Sequence, residues 1–81
     1  MERNEVINKA NSAMAEEFEV DFARIIPDAN IKNTLDLDSL GVVDMVALIE
    51  GLFSVKIKAQ EVGSIQTFEH LYDYIINHLH R

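Results

Sequence analysis

Ser39 is the residue whose type and position best support chemistry in this chain of 81 residues. It follows Asp38 and precedes the apolar run Leu40-Gly41-Val42-Val43, which predicts the start of a helix. An Asp-Ser pair at such a start satisfies unpaired N–H groups of the first turn, so the pair is predicted to cap the helix. The same helix end concentrates positive dipole and free donors, which makes the Ser39 hydroxyl a natural attachment point for a phosphate ester. From these residues alone, a simple cap is the commoner use.

The surroundings of Ser39 do not support a serine hydrolase. Such an enzyme needs a base beside the hydroxyl, commonly a histidine, and the three histidines all lie near the C-terminus, at His70, His78 and His80. The Gly-x-Ser-x-Gly pattern is missing around Ser39, and the chain has no Cys to act as a nucleophile. His78 and His80 lie two positions apart on a predicted helix and point in different directions, which disfavours a metal site. The sequence therefore predicts a protein that is not an enzyme.

The composition limits the kinds of partner. Fourteen Asp and Glu against seven Lys and Arg give a net charge of −7, which disfavours nucleic acid and anionic membranes and favours basic protein surfaces. The fractions of hydrophobic residues (48%) and aromatic residues (7%) are typical of a small helical protein, and the lack of Cys fits a reducing compartment. No stretch approaches the roughly 20 apolar residues of a membrane span. We therefore expect one cytoplasmic domain over 1–81 that binds neither nucleic acid nor membrane.

The apolar spacing predicts an all-α fold, a small four-helix bundle with three long helices, one short helix and a long loop between helices 1 and 2. The long helices are predicted over 2–19, 39–52 and 67–79, the last with Thr67 as its cap, and the short one over 59–63. In the loop over 20–38, Asp21 is predicted to cap one short turn that Pro27 ends. The segment 54–58 alternates like a strand but is too short and isolated for a sheet. The apolar residues predicted to anchor the long loop are Phe22, Ile25, Ile26, Ile31, Leu35 and Leu37.

The second helix is predicted to be apolar on two sides. The side predicted to be buried consists of Val42, Met45, Ile49, Leu52 and Phe53, with Leu48 at its edge. The opposite side, here called the partner face, consists of Leu40, Val43 and Ala47 flanked by Asp44 and Glu50. No Lys or Arg lies between Asn33 and Val55, and burying unpaired carboxylates is costly. The partner face is therefore predicted to stand in solvent and to bind other proteins.

The sequence from about Leu35 to Ile76 resembles the acyl carrier protein family. The residues that carry the resemblance are Leu37-Asp38-Ser39-Leu40, then Val43, Asp44, Met45, Ile49, Glu50, Phe53 and Ile57, and finally Thr67-Phe68 and Tyr72-Asp73-Tyr74-Ile75-Ile76. The resemblance implies a 4′-phosphopantetheine arm, attached to Ser39 from coenzyme A by a phosphopantetheinyl transferase that recognises Asp38. It also implies that the thiol of this arm holds acyl intermediates as thioesters, in fatty-acid or related polyketide or specialised lipid biosynthesis.

The resemblance also implies the partners. Acyl-loading, synthase or transferase enzymes with basic docking patches would bind the partner face of a monomeric carrier. Between visits to these enzymes, the acyl chain is expected to shelter between the second helix and segment 57–65, beside Met45, Ile57 and Ile65.

Two other functions stay open on the sequence. The run Asp-Ser-Leu-Gly-Val-Val is also similar to D-alanyl carriers and to aminoacyl or peptidyl carriers of the same fold. A protein of a different class, an unmodified helical interaction module, would keep the bundle and leave Ser39 free. The sequence departs from the fatty-acid pattern at Gly41, at Gly51 and in segment 56–63, which is much less acidic than in fatty-acid carriers, so the identity of the cargo is left open.

Overall fold

The structure is a computed structural model and describes residues 2–79. Its α-helices are α1 (Arg3–Phe18), α2 (Ile31–Leu35), α3 (Ser39–Phe53), α4 (Ala59–Val62) and α5 (Phe68–Leu79), and a 3-10 turn spans Phe22–Arg24. Within residues 2–79 no strand forms, and the β contact is an isolated bridge between Asn30 and Thr67. The all-α prediction is confirmed, with one short helix, α2, more than the sequence predicted.

The three long helices enclose the core. The fully or almost fully buried apolar side chains of these helices recur at spacings of three and four, as one face of a helix requires. They are Val6, Ala10 and Met14 in α1, Met45, Ile49 and Phe53 in α3, and Phe68, Leu71, Tyr72 and Ile75 in α5. Over residues 2–79, none of the helices has the length and apolar character that crossing a bilayer requires.

The long connection between α1 and α3 is only partly as predicted. Asp21 does cap the short turn, because its Oδ1 accepts the Ala23 N–H at 3.0 Å. Ile25, Ile31 and Leu35 are buried and Leu37 is partly buried, whereas Phe22 and Ile26 are 47% and 49% exposed. The prediction that these last two anchor the loop is wrong, since a turn of three residues is too short to carry three apolar side chains to one face.

The extra helix α2 has a local cause. The Asn30 Oδ1 accepts the Asn33 N–H at 3.0 Å, which is the bond of an N-cap residue. Ile31 and Leu35, one turn apart, are both buried, so the core holds this single turn in place. The helix ends at Leu35, and the C-cap residue Asp36 has a left-handed backbone with φ 54°.

Buried polar groups fix the loop against α1 and α5. Tyr72 is fully buried and its hydroxyl donates to Asn11 Oδ1, while the Asn11 Nδ2 donates to the Ile25 carbonyl at 3.4 Å. Burial raises the pKa of the Tyr72 phenol, and the bond to Asn11 opposes part of that rise. The start of α5 is also tied to the loop, because the Glu69 N–H donates to the Pro27 carbonyl at 2.8 Å.

Candidate functional site

Ser39 is the first residue of α3 and is exposed. The cap of this helix is Asp38, whose Oδ1 accepts the Gly41 N–H at 2.7 Å from an extended backbone. Among residues 2–79 no group hydrogen-bonds to the Ser39 hydroxyl. Capping is therefore done by Asp38 alone, which leaves the neighbouring hydroxyl available for modification.

The first turn of α3 suits an anion on Ser39. The Asp38 side chain accepts the Gly41 N–H at 2.7 Å, and the Asp38 carbonyl accepts the Val42 N–H at 3.0 Å. The N–H groups of Ser39 and Leu40 receive no acceptor from residues 2–79. Free N–H groups and the positive end of the helix dipole favour a phosphate at this position.

Gly41 allows the Leu37 side chain to approach the backbone closely. This contact was not predicted from the sequence. A Cβ added there would lie 3.0 Å from Leu37 Cδ2 and 3.2 Å from Leu37 Cβ. The Leu37 side chain therefore packs directly over the backbone of the first turn. A residue with a Cβ at this position would require the Leu37 side chain to shift by a few tenths of an ångström.

Four residues of the partner face are exposed as predicted. Leu40 is 75% exposed and Val43 63% exposed, which makes them the most exposed large apolar side chains of residues 2–79. Asp44 and Ala47 are also exposed. An apolar strip with a carboxylate beside it therefore stands in solvent, starting next to Ser39 and extending about two turns along α3.

Glu50, the fifth residue of this face, differs from the prediction. It is only partly exposed, and its Oε2 accepts the Ile57 N–H at 2.8 Å. The missing partner for this carboxylate is thus a backbone amide of the following loop, not a Lys or Arg. Glu50 fastens the loop to α3 in addition to bordering the partner face.

An apolar cavity of about 250 Å³ lies beside the first turns of α3. It is lined mainly by hydrocarbon, and the three residues expected beside a sheltered acyl chain, Met45, Ile57 and Ile65, all line it. Val42, one turn after Ser39, lines it as well. The further lining residues are Asn30, Ile31, Lys32, Val46, Val62, Gly63, Gln66 and Leu71.

Hydrogen bonds from Tyr74 and Glu50 hold the wall of the cavity that contains Ile57. Ile57 is 5% exposed, and its backbone N–H donates to the Glu50 carboxylate. The Tyr74 hydroxyl lies 3.2 Å from the Lys56 carbonyl, 3.4 Å from the Lys58 N–H and 2.9 Å from Glu61 Oε1. These bonds join α5 to the loop and to α4, which carries the next part of the wall.

The histidines at the C-terminal end have local partners. His70 Nδ1 accepts the backbone N–H groups of Gln66 and Thr67 at 3.3 and 3.4 Å, and the His70 N–H donates to the Thr67 hydroxyl, which caps α5 as predicted. The His78 ring stacks on Tyr74 with centroids 4.0 Å apart. His80, the third histidine considered for a metal site, lies outside the described residues.

Known proteins match almost the whole chain. The profile of the family described as "Phosphopantetheine attachment site" matches residues 11–75. An acyl carrier protein of Rubrobacter xylanophilus is 31% identical over 78 residues, covering 96% of both chains. One of Lactobacillus acidophilus is 33% identical over 78 residues, covering 96% of this chain and 98% of that one. The solved acyl carrier protein of Enterococcus faecalis superposes with a TM-score of 0.80 at 28% identity, covering 96% of this chain and 99% of that one.

The helical fold and the family match define a carrier domain with a phosphopantetheine attachment site. More specifically, the chain belongs to the acyl carrier protein family. Members of this family are carriers, not enzymes, and their phosphopantetheine-binding domain carries a covalently attached 4′-phosphopantetheine. The residues around Ser39 fit such a group, since Ser39 is exposed and the N–H groups of Ser39 and Leu40 have no acceptor among residues 2–79.

Proposed function

We propose that Ser39 carries the 4′-phosphopantetheine arm and that residues 1–81 act as one monomeric carrier domain in the cytoplasm, in fatty-acid or related lipid biosynthesis. The arm supplies a terminal thiol that holds the acyl group as a thioester, which the chain itself cannot provide because it has no Cys. The observation that supports the attachment point is the exposed Ser39 hydroxyl beside a cap made by Asp38 alone.

Asp38 is proposed as the residue that the phosphopantetheinyl transferase recognises. Its Oδ1 is used in the 2.7 Å bond to Gly41, so the carboxylate is held rigidly next to the hydroxyl that is modified. The second oxygen of the same carboxylate is left for the transferase or for a metal ion that the transferase carries. Asp38 therefore serves both the helix and the recognition of Ser39.

The partner face is proposed to bind acyl-loading, synthase and transferase enzymes through their basic patches. Leu40 and Val43 offer exposed apolar area, and Asp44 offers an exposed carboxylate beside it. Ala47 and Glu50 extend the same face by a further turn. An interface this small gives weak docking, which a carrier that must exchange partners needs. A high salt concentration should weaken the docking further, because exposed charges contribute to it.

The cavity supports an acyl cargo over an amino acid. Its lining is mostly hydrocarbon, and a chain sheltered there would leave water as an apolar side chain does on folding. A D-alanyl or aminoacyl group would gain little from it. In the acylated protein, the backbone amide signals of Met45, Ile57 and Ile65 are expected to shift relative to the form without cargo, as heteronuclear NMR would show.

Attachment is tested by incubating the purified chain with coenzyme A and a phosphopantetheinyl transferase of broad specificity. The intact mass should rise by one arm, and peptide mapping should place the arm on Ser39. Ser39→Ala should gain no mass, whereas Ser54→Ala, which changes an exposed serine at the other end of α3, should gain it normally. An unmodified wild-type chain, beside a control carrier that the same transferase does modify, would favour the helical interaction module instead.

A further inference from the structure

Three polar residues are among those that line the otherwise apolar cavity. Asn30 and Lys32 come from the cap and first turn of α2, and Gln66 comes from the segment before α5. The two segments run side by side, because the Ile31 N–H donates to the Gln66 carbonyl at 2.9 Å and Asn30 forms the isolated bridge with Thr67. We call Asn30, Lys32 and Gln66 the polar edge.

Asn30 and Lys32 supply hydrogen-bond donors to the polar edge. The Asn30 Oδ1 is already used by the Asn33 N–H at 3.0 Å, so the free group of this side chain is its NH₂. Lys32 is exposed and is the one charged residue among those that line the cavity, so its long side chain can bring an ammonium with three donors to the edge of the cavity. Within residues 2–79 the ion pair that forms is between Arg3 and Asp73, and Lys32 takes no part in it.

A cavity with a hydrocarbon wall and a cationic edge complements a chain that is apolar along its length and ends in an anion. We infer that this cavity takes an acyl chain that carries a carboxylate, and that Lys32 selects this cargo. The inference rests on the proposed function, in which Ser39 carries the acyl arm. Charge-assisted hydrogen bonds to a carboxylate are stronger than those to a neutral carbonyl or hydroxyl. Lys32 should therefore bind an acyl chain that ends in a carboxylate more tightly than one that ends in a neutral group.

The size of the cavity sets the length of the test cargo. An apolar cavity of about 150 Å³ holds benzene, so the present one has room for about ten carbon atoms. An eight-carbon chain therefore fits. The suitable pair of cargoes is octanoyl and 7-carboxyheptanoyl, which share a chain length and differ in the carboxylate at the far end.

The experiment loads both cargoes onto the full chain from the corresponding acyl-coenzyme A with a phosphopantetheinyl transferase. The distal carboxyl is labelled with ¹³C, and its pKa is measured by NMR on the protein and on free acyl-pantetheine. On the wild type this pKa should be lower by about one unit, since a nearby cation favours the ionised carboxylate. The thioester should also hydrolyse severalfold more slowly than in the Lys32→Met variant. Octanoyl protein should hydrolyse equally fast in both.

Lys56→Met is the matched control, because it removes the same charge from an exposed lysine that does not line the cavity. It should behave as the wild type with both cargoes. If loading at Ser39 succeeds but Lys32→Met changes neither the carboxyl pKa nor the hydrolysis rate, the inference about Lys32 is wrong and the carrier function stands. Equal effects of Lys32→Met and Lys56→Met would also overturn the inference about Lys32, because they would show that the loss of any positive charge has this effect. If no arm attaches to Ser39, both the carrier function and this inference fail.

Discussion

Replacing Glu50 by alanine is expected to destabilise the fold, although Glu50 borders a solvent-exposed face. The Glu50 Oε2 accepts the Ile57 N–H at 2.8 Å, and the side chain is partly buried. In Glu50→Ala this N–H loses its acceptor, beside an Ile57 side chain that is 5% exposed. The loop that forms one wall of the cavity would then keep its bonds to Tyr74 and the packing of Val55 and Ile57 but lose this bond to α3.

The magnitude follows from the partial burial of the bond. A hydrogen bond to a charged group contributes about 1.5–3 kcal/mol, and water at the partly exposed edge replaces some of it, so Glu50→Ala should cost about 1–2 kcal/mol. In a domain of this size each kcal/mol corresponds to about 4–8 °C in Tm. The expected decrease in Tm is therefore roughly 4–16 °C.

Urea unfolding followed by circular dichroism measures this change, with two matched variants beside it. Glu50→Gln keeps an acceptor oxygen and should lose about half as much stability as Glu50→Ala. Asp44→Ala removes an exposed carboxylate of the same face that has no such bond, and it should stay within about 0.5 kcal/mol of the wild type. If Glu50→Ala and Asp44→Ala are equally stable, the Glu50 to Ile57 bond does not hold the loop.

Three further predictions concern stability, each measured by thermal or urea unfolding. Gly51→Ala should stabilise α3 by about 0.5–1 kcal/mol, because alanine loses less backbone entropy than glycine in a helix and the added Cβ would contact only its chain neighbours and the backbone of α3 within 4 Å. Gly41→Ala should not be stabilising, because its Cβ would lie 3.0 Å from Leu37 Cδ2. Tyr72→Phe should cost about 1–3 kcal/mol, because the buried Asn11 Oδ1 loses its donor. Burial raises the pKa of the Tyr72 phenol above its ordinary value of 10.0, so the stability of the wild type should fall as pH rises from that value through the folded pKa, and Tyr72→Phe should lack this part of the fall.

Each of these has a contrary outcome. Equal gains in stability from Gly51→Ala and Gly41→Ala would mean that the Leu37 side chain moves away from the added Cβ without destabilising the fold. A Tyr72→Phe variant with the same alkaline loss of stability as the wild type would assign that loss to other groups.

Predictions of the helices succeeded where the determining interactions are local. The three long helices follow from apolar spacings of three and four, and their starts from caps such as Asp38 and Thr67, which bond within three residues. The short helix α2 was missed although its Asn30 cap and the pair Ile31 and Leu35 are visible in the sequence. One turn is too short to stand out from a loop by periodicity, and only burial of both apolar residues stabilises it.

The sequence by itself determined the all-α class, the placement of Ser39 at a helix start and the apolar strip of Leu40, Val43 and Ala47. Each depends on neighbours within one or two turns. The tertiary structure decided what distant segments do together: Glu50 bonds to the loop at Ile57, and Lys32 joins Gln66 on one cavity. Contacts between residues far apart in the chain depend on how the helices pack against one another. Residue types and local spacing do not determine that packing directly, so these contacts could not be predicted from the sequence.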